Sequence, residues 1–228
     1  MRKILFLGFI FLFVIEVTGN DLGAIEANPL QMPAVADYGL RILSPTLLEL
    51  TLITTKRPDP APITEWNFVG ANGQLSAPAP SAFVVTAGGQ TIAVQSVGFK
   101  RRALYAPLKI YDLRMGNYLY LQLANPIPEG QTVEVKNPDG KLWRAKKFSA
   151  SGDSLRWSPV IHVNQEGYLP EYPKKAMVGY YLGSLGEMKI SAASGFKLLD
   201  ANNNAVVYTN ILTSRKDIGY TYTMIPYQ

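Results

Sequence analysis

From Tyr38 onward the chain alternates apolar and polar residues in short runs, broken by Pro, Gly and Asx clusters. That rhythm predicts strands rather than helices. Leu48-Glu49-Leu50-Thr51-Leu52 puts its three leucines on one face of a strand. Tyr118-Leu119-Tyr120-Leu121-Gln122-Leu123 is the clearest strand, with leucines inward and Tyr118, Tyr120 and Gln122 outward. Thr91–Val97 and Thr132–Val135 read as further strands, and Lys141–Phe148 as a returning one. Three prolines between Arg57 and Pro62 force a loop, and Ser76–Pro80 forces another. Asn125–Gly130 turns the chain, and Asn137-Pro138-Asp139-Gly140 signals a tight hairpin.

Residues 149–157 are rich in Ser, Gly and Asp and read as a linker, with the first module taken as 37–150 and the joint as 151–157. Beyond it, strands are predicted at Val160–Val163, Ala176–Leu182, Met188–Ser191, Phe196–Leu199 and Ala205–Thr209. A weaker one is predicted near Tyr220–Met224. Asp200–Asn204 is an Asx-rich hairpin turn. Short strands with turn signals between them point to an all-β protein of two tandem immunoglobulin-like β-sandwich modules. The second module, 158–228, is short for seven strands and ~100 residues, so it reads as incomplete. The expectation is that the chain is the front piece of a longer protein.

Composition supports the all-β reading. The 228 residues include 16 Pro and 19 Gly and show no long amphipathic helix. There is no Cys, which removes disulfides, thiolate nucleophiles, Cys-ligated metals and a lipid-modified Cys. Residues 1–19 resemble a secretory signal peptide: Arg2-Lys3, an apolar run Ile4–Ile15, and small residues through Val17-Thr18-Gly19. The apolar run is shorter than the ~20 residues of a spanning helix, and Glu16 ends it. Cleavage near Gly19 predicts a secreted or periplasmic chain with no membrane association afterwards. Residues 20–36 form a flexible lead-in. Without the leader, 20 basic and 16 acidic residues remain, a mild excess. The one dense basic cluster, Lys100-Arg101-Arg102, is too short for a nucleic-acid-binding stripe.

The stretch Val160-Ile161-His162-Val163-Asn164-Gln165-Glu166-Gly167-Tyr168-Leu169-Pro170, followed by Lys174-Lys175-Ala176, is the most specific signature. Its pattern V-N-Q-x-G-Y-x-P, then K-K-A, resembles the opening of the immunoglobulin-like module that precedes the catalytic domain in family nine glycoside hydrolases, the cellulases and endoglucanases. Gly195–Asp200 and Ala205–Tyr208 follow in the order expected of that module. Residues 38–150 resemble, more loosely, the β-sandwich modules found upstream in secreted polysaccharide-degrading enzymes. The resemblance implies an inverting endo-β-glucanase parent and a partner in the downstream catalytic domain of the same polypeptide. It also implies that Asn164, Gln165, Gly167, Tyr168, Pro170 and Lys175 hold a corner or an interdomain contact.

The chain itself carries no recognisable catalytic machinery. Inverting hydrolysis needs an acid and a base carboxyl on opposite faces of the sugar, and the family's Asp-Ala-Gly-Asp motif is absent. His162 is the only His and sits within an apolar strand. No metal or cofactor is expected; the Asp200–Asn204 run reads as a turn rather than a calcium loop. Polysaccharide is the one external ligand entertained. Tyr118 and Tyr120 have the spacing of an outward platform for pyranose faces, with Trp66 and Trp143 near loops beside it. The alternative function is a free-standing carbohydrate-binding or cell-surface adhesion protein.

Overall fold

The computed structural model describes residues 32–55, 65–104, 113–143, 147–191 and 193–215. The residues expected to form a signal peptide, the expected lead-in before Met32, the Arg57–Pro62 loop and the strand expected near Tyr220–Met224 lie outside the described residues. Among those described, two short 3-10 turns are the only helical elements, and every other regular element is a strand.

The first module is a sandwich of two four-stranded antiparallel sheets. One sheet is ordered β1 (Tyr38–Ser44), β2 (Leu47–Thr55), β6 (Arg114–Leu123), β5 (Val94–Ala103). The other is ordered β4 (Gln90–Ile92), β3 (Val84–Ala87), β7 (Thr132–Lys136), β8 (Phe148–Ser151). The leucines at 48, 50 and 52 and those at 119, 121 and 123 point into the space between the sheets. They meet Val85, Val133, Val135 and Phe148 from the facing sheet. Period-2 alternation builds this core, because each strand gives every second side chain to it.

Three expectations are revised. The single strand expected over Thr91–Val97 breaks at Ala93: β4 stays in one sheet and β5 crosses to the other. The strand expected at Lys141–Phe148 begins at Phe148 instead, because its register with β7 runs Val135↔Phe148 to Thr132↔Ser151. The first module therefore reaches Ser151 and takes in residues first assigned to the linker. The strand expected at Met188–Ser191 is not formed; Glu187 makes only an isolated bridge with Tyr181.

The second module consists of two antiparallel pairs among the described residues. β9 (Ile161–His162) pairs with β10 (Met177–Val178), and β11 (Gly195–Leu199) with β12 (Val206–Ile211). The turn between β11 and β12 is closed by Asx chemistry. Asp200 Oδ1 accepts from the Asn202 amide at 2.8 Å, and Asn203 Oδ1 from the Ala205 amide at 2.8 Å. Asn204 takes a left-handed φ of 57°, which Asn tolerates better than most residues.

Candidate functional site: the junction between the modules

The aromatic residues singled out as sugar platforms are all buried. Tyr118 and Tyr120 do stand on the face opposite the leucines, yet they are only 4% and 0% exposed. Alternation assigned the right face; the second module covers it, and the expected outward platform is corrected accordingly. Trp66 and Trp143 lie in the core of the first module, 6.3 Å apart between ring centroids. Trp66 Nε1 donates to the Leu142 carbonyl at 3.0 Å, and Trp143 meets Phe148 edge-on at 4.8 Å. Their rings fill the sandwich and present no face to solvent.

The cover over Tyr118 and Tyr120 is a second apolar cluster that joins the modules. Leu43, Leu47, Tyr118 and Tyr120 from the first module pack against Val160 and Leu182 from the second, with Tyr180, Leu185 and Met188 at its margin. Within it lies a fully buried carboxylate. Glu49, in the polar phase of β2, pairs with Arg41 Nη1 at 3.1 Å and accepts from the Tyr180 hydroxyl at 2.8 Å. A buried carboxylate is tolerated only when paired and hydrogen-bonded, and one of its two partners here comes from the other module.

Lys100 completes the cluster. Its ammonium lies 4.5 Å from the Tyr180 ring centroid and about equally far from those of Tyr118 (5.1 Å) and Tyr120 (5.2 Å). It donates to the Tyr181 carbonyl at 2.8 Å. Such an aromatic cage suits a cation whose hydration is partly removed. Burial lowers the Lys100 pKa, while Glu49 opposes that shift. Burial likewise raises the Tyr120 and Tyr180 hydroxyls, and the charge of Glu49 raises them further. Tyr180 spends its proton on Glu49; the Tyr120 hydroxyl is buried without a hydrogen-bond partner.

The expected basic cluster is thereby split. Lys100 turns to the junction, whereas Arg101 turns away to bind Asn117 Oδ1 at 2.6 Å and the Trp66 carbonyl at 2.7 Å. Arg102 lies over the Tyr118 ring at 5.7 Å. Adjacent strand residues face opposite ways, so three basic neighbours make no common stripe.

The second contact is at the edge of a sheet. β5 is an outer strand whose amides would otherwise face water. The 3-10 turn Gly183–Leu185 lies against it, and the Phe99 amide donates to Ser184 Oγ at 3.0 Å. At Gly183 the approach is backbone to backbone, and at Gly98 it is backbone to the Leu185 side chain. A Cβ added to Gly183, at φ 62°, would fall 2.3 Å from the Phe99 carbonyl oxygen, and one on Gly98 would fall 2.4 Å from Leu185 Cγ. At Gly183, where the obstacle is backbone and φ is left-handed, only hydrogen fits.

The corner carrying the V-N-Q-x-G-Y-x-P pattern stands apart from this junction and is exposed. Asn164 closes it: Nδ2 donates to the Gly167 carbonyl at 2.6 Å and Oδ1 accepts from the Glu166 amide at 3.1 Å. Gly167 sits at φ 90°. The Tyr168 hydroxyl accepts from the Asn164 amide at 3.1 Å and donates to the Lys175 carbonyl, tying the corner to the segment leading into β10. Gln165 and Pro170 are exposed, and Lys174 Nζ gathers the carbonyls of Leu169, Pro170 and Tyr172. His162 Nε2 bonds the Gly179 carbonyl at 2.9 Å, just past the end of β10.

Residues 156–220 match the family described as the cellulase N-terminal ig-like domain. The match begins at Arg156, just before the corner motif, and takes in both strand pairs of the second module. The first module lies outside it. No curated protein and no solved structure matches the chain. The cellulase-type module thus meets its neighbour through Tyr180, Leu182 and Ser184, residues the sequence reading passed over. Their signal was faint: Tyr180 and Leu182 fell in a predicted strand, and only the aromatic bias of the β6 polar face hinted at a covering partner. Among the described residues no cluster of His, Asp and Glu could hold a metal, and no helix is long and apolar enough to cross a membrane. The depression lined by Ile42, Pro45, Ile127, Pro128 and Arg156 is too shallow to enclose a ligand.

Proposed function

We propose that this chain is the non-catalytic front of a secreted cellulase-like glycoside hydrolase, and that its modules support and orient a downstream catalytic domain acting on β-linked glucan. The observation that carries this reading is the cellulase N-terminal ig-like match over 156–220. The junction supports it in mechanical terms. A paired buried carboxylate, a caged lysine and a glycine-tight edge contact join the modules, and fixed contacts of this kind suit a positioning element. The chemistry belongs to the downstream domain, since Glu49 is sealed and spent on Arg41 and Tyr180.

The test is to read the coding DNA beyond the Gln228 codon. The reading expects an open frame entering a domain with a paired-Asp motif. A stop codon directly after Gln228 sinks the hydrolase reading for this product, and retention on insoluble glucan then becomes the measurement of interest.

A further inference from the structure

We propose that Arg41 is the positioning residue of the junction: its guanidinium couples the segment connecting the modules to the buried Glu49–Tyr180 bond, and so sets how the second module sits on the first. The coupling stands whether or not a hydrolase domain follows. Arg41 lies on β1, an outer strand, opposite Glu49 in the register with β2. Its Nη1 meets Glu49 Oε1 at 3.1 Å, and its Cζ lies over the Trp157 ring, 5.0 Å from the centroid. Nε is buried and bonds nothing among the described residues, so the group is held at one edge and over one ring. The connecting segment grips the next residue of β1 as well: Arg156 Nε donates to the Ile42 carbonyl at 3.2 Å. Val160 then enters the apolar cluster beside Leu43 and Leu47.

The coupling arises because Glu49 is shared. Arg41 takes its Oε1, and the Tyr180 hydroxyl takes its Oε2 at 2.8 Å. An arginine free to turn favours the fork arrangement, with two N–H groups on the two carboxylate oxygens. That arrangement would compete with Tyr180 for Oε2. Trp157 opposes the turn, because a guanidinium seated over an aromatic ring is restrained by it. The Glu49 side chain is 0% exposed, so water makes up for no bond that is lost. The connecting segment therefore decides, through Arg41, how well the second module keeps its bond to Glu49.

The experiment is amide hydrogen exchange on the full chain at neutral pH, read at Phe99, whose amide donates to Ser184 Oγ across the junction. Trp157→Ala is expected to speed Phe99 exchange about fivefold and Tyr180→Phe about thirtyfold, as a cation–aromatic contact and a bond to a buried charge would. The double variant is expected within about fiftyfold, short of the product of about 150, since Tyr180 has less to lose once Trp157 is gone. In an Arg41→Lys background, which keeps the charge beside Glu49 but not the fork, the two factors multiply. The amides of Leu119 and Leu121, in the core of the first module, stay unchanged throughout. The proposal is overturned if the factors multiply with Arg41 in place, if the coupling survives Arg41→Lys, if Trp157→Ala leaves Phe99 unaffected, or if Leu119 and Leu121 speed up as well. Orientation is read separately. The chain has no Cys, so spin labels at Thr132→Cys and Asn202→Cys, both exposed positions, report one distance. Its distribution broadens in Arg41→Lys and in Trp157→Ala; an unchanged width denies that Arg41 positions the module.

Discussion

Tyr180→Phe separates the junction's hydrogen bond from its packing. The substitution removes one hydroxyl that donates to buried Glu49 at 2.8 Å and leaves the ring in place. The edge-on contact with Tyr120 at 6.3 Å and the seat of Lys100 over the ring are retained. What is lost is one of the two partners of a carboxylate whose side chain is 0% exposed. Removing a hydrogen bond to a buried charge costs about 2 kcal/mol. With a urea m-value of about 2 kcal/mol/M, that lowers the unfolding midpoint by roughly 1 M. Tyr120→Phe is the matched control. It too deletes a buried hydroxyl beside Glu49, but one that lies outside good hydrogen-bond geometry with the carboxylate, so the expected loss is clearly smaller than for Tyr180→Phe. The assay is urea unfolding of the full chain, followed by tryptophan fluorescence and circular dichroism. The reasoning is refuted if both variants shift the midpoint equally, or if Tyr120→Phe is the more damaging.

Buried tyrosines at the junction and in the first core set an alkaline limit. Tyr38, Tyr120 and Tyr180 are raised above their ordinary 10.0, chiefly by burial. The unfolded chain then releases these protons first, so their contribution to stability is complete below pH 10 and is lost as pH rises beyond it. Lys100, lowered by burial, gives the opposite slope just below 10.5. Stability curves between pH 9 and 11.5 should fall less steeply in Tyr120→Phe than in the parent; an identical slope contradicts the assignment. In the first module, Phe148→Ala should cost about 3–5 kcal/mol. The ring is fully buried and braced edge-on by Trp143 at 4.8 Å and Tyr38 at 5.7 Å. Urea unfolding reads the loss, and a cost under about 1 kcal/mol denies that these rings form the core.

The fold class was legible because strand periodicity and turn chemistry are local. Leu48, Leu50 and Leu52 announce their own face, and the Asn-rich run at 200–204 announces its hairpin. The corner from Asn164 to Gly167 was legible for the same reason. The coverage of a face was not. Glu49, Thr51, Tyr118 and Tyr120 have the pattern of a solvent face, and nothing within β2 or β6 reveals that a segment more than fifty residues downstream lies on them. That segment lies close against β5 where Gly183 lacks a side chain, a steric fact that emerges only once both backbones are placed. The depth of Trp66 and Trp143 is illegible for a related reason. Proximity to loops in sequence says little about depth when a loop folds back over a sandwich. The break at Ala93 is illegible because a strand that changes sheets keeps its alternation on both sides of the break.

The central claim, that these modules support a glucan-hydrolysing domain, is tested most directly on the full product of the reading frame containing this chain. The measurement is heat inactivation of its hydrolysis of a soluble β-linked glucan, with and without residues 37–215. The account predicts hydrolysis whose inactivation midpoint falls by several degrees when the modules are removed. A product that hydrolyses no β-glucan, or one whose inactivation is the same without the modules, contradicts it.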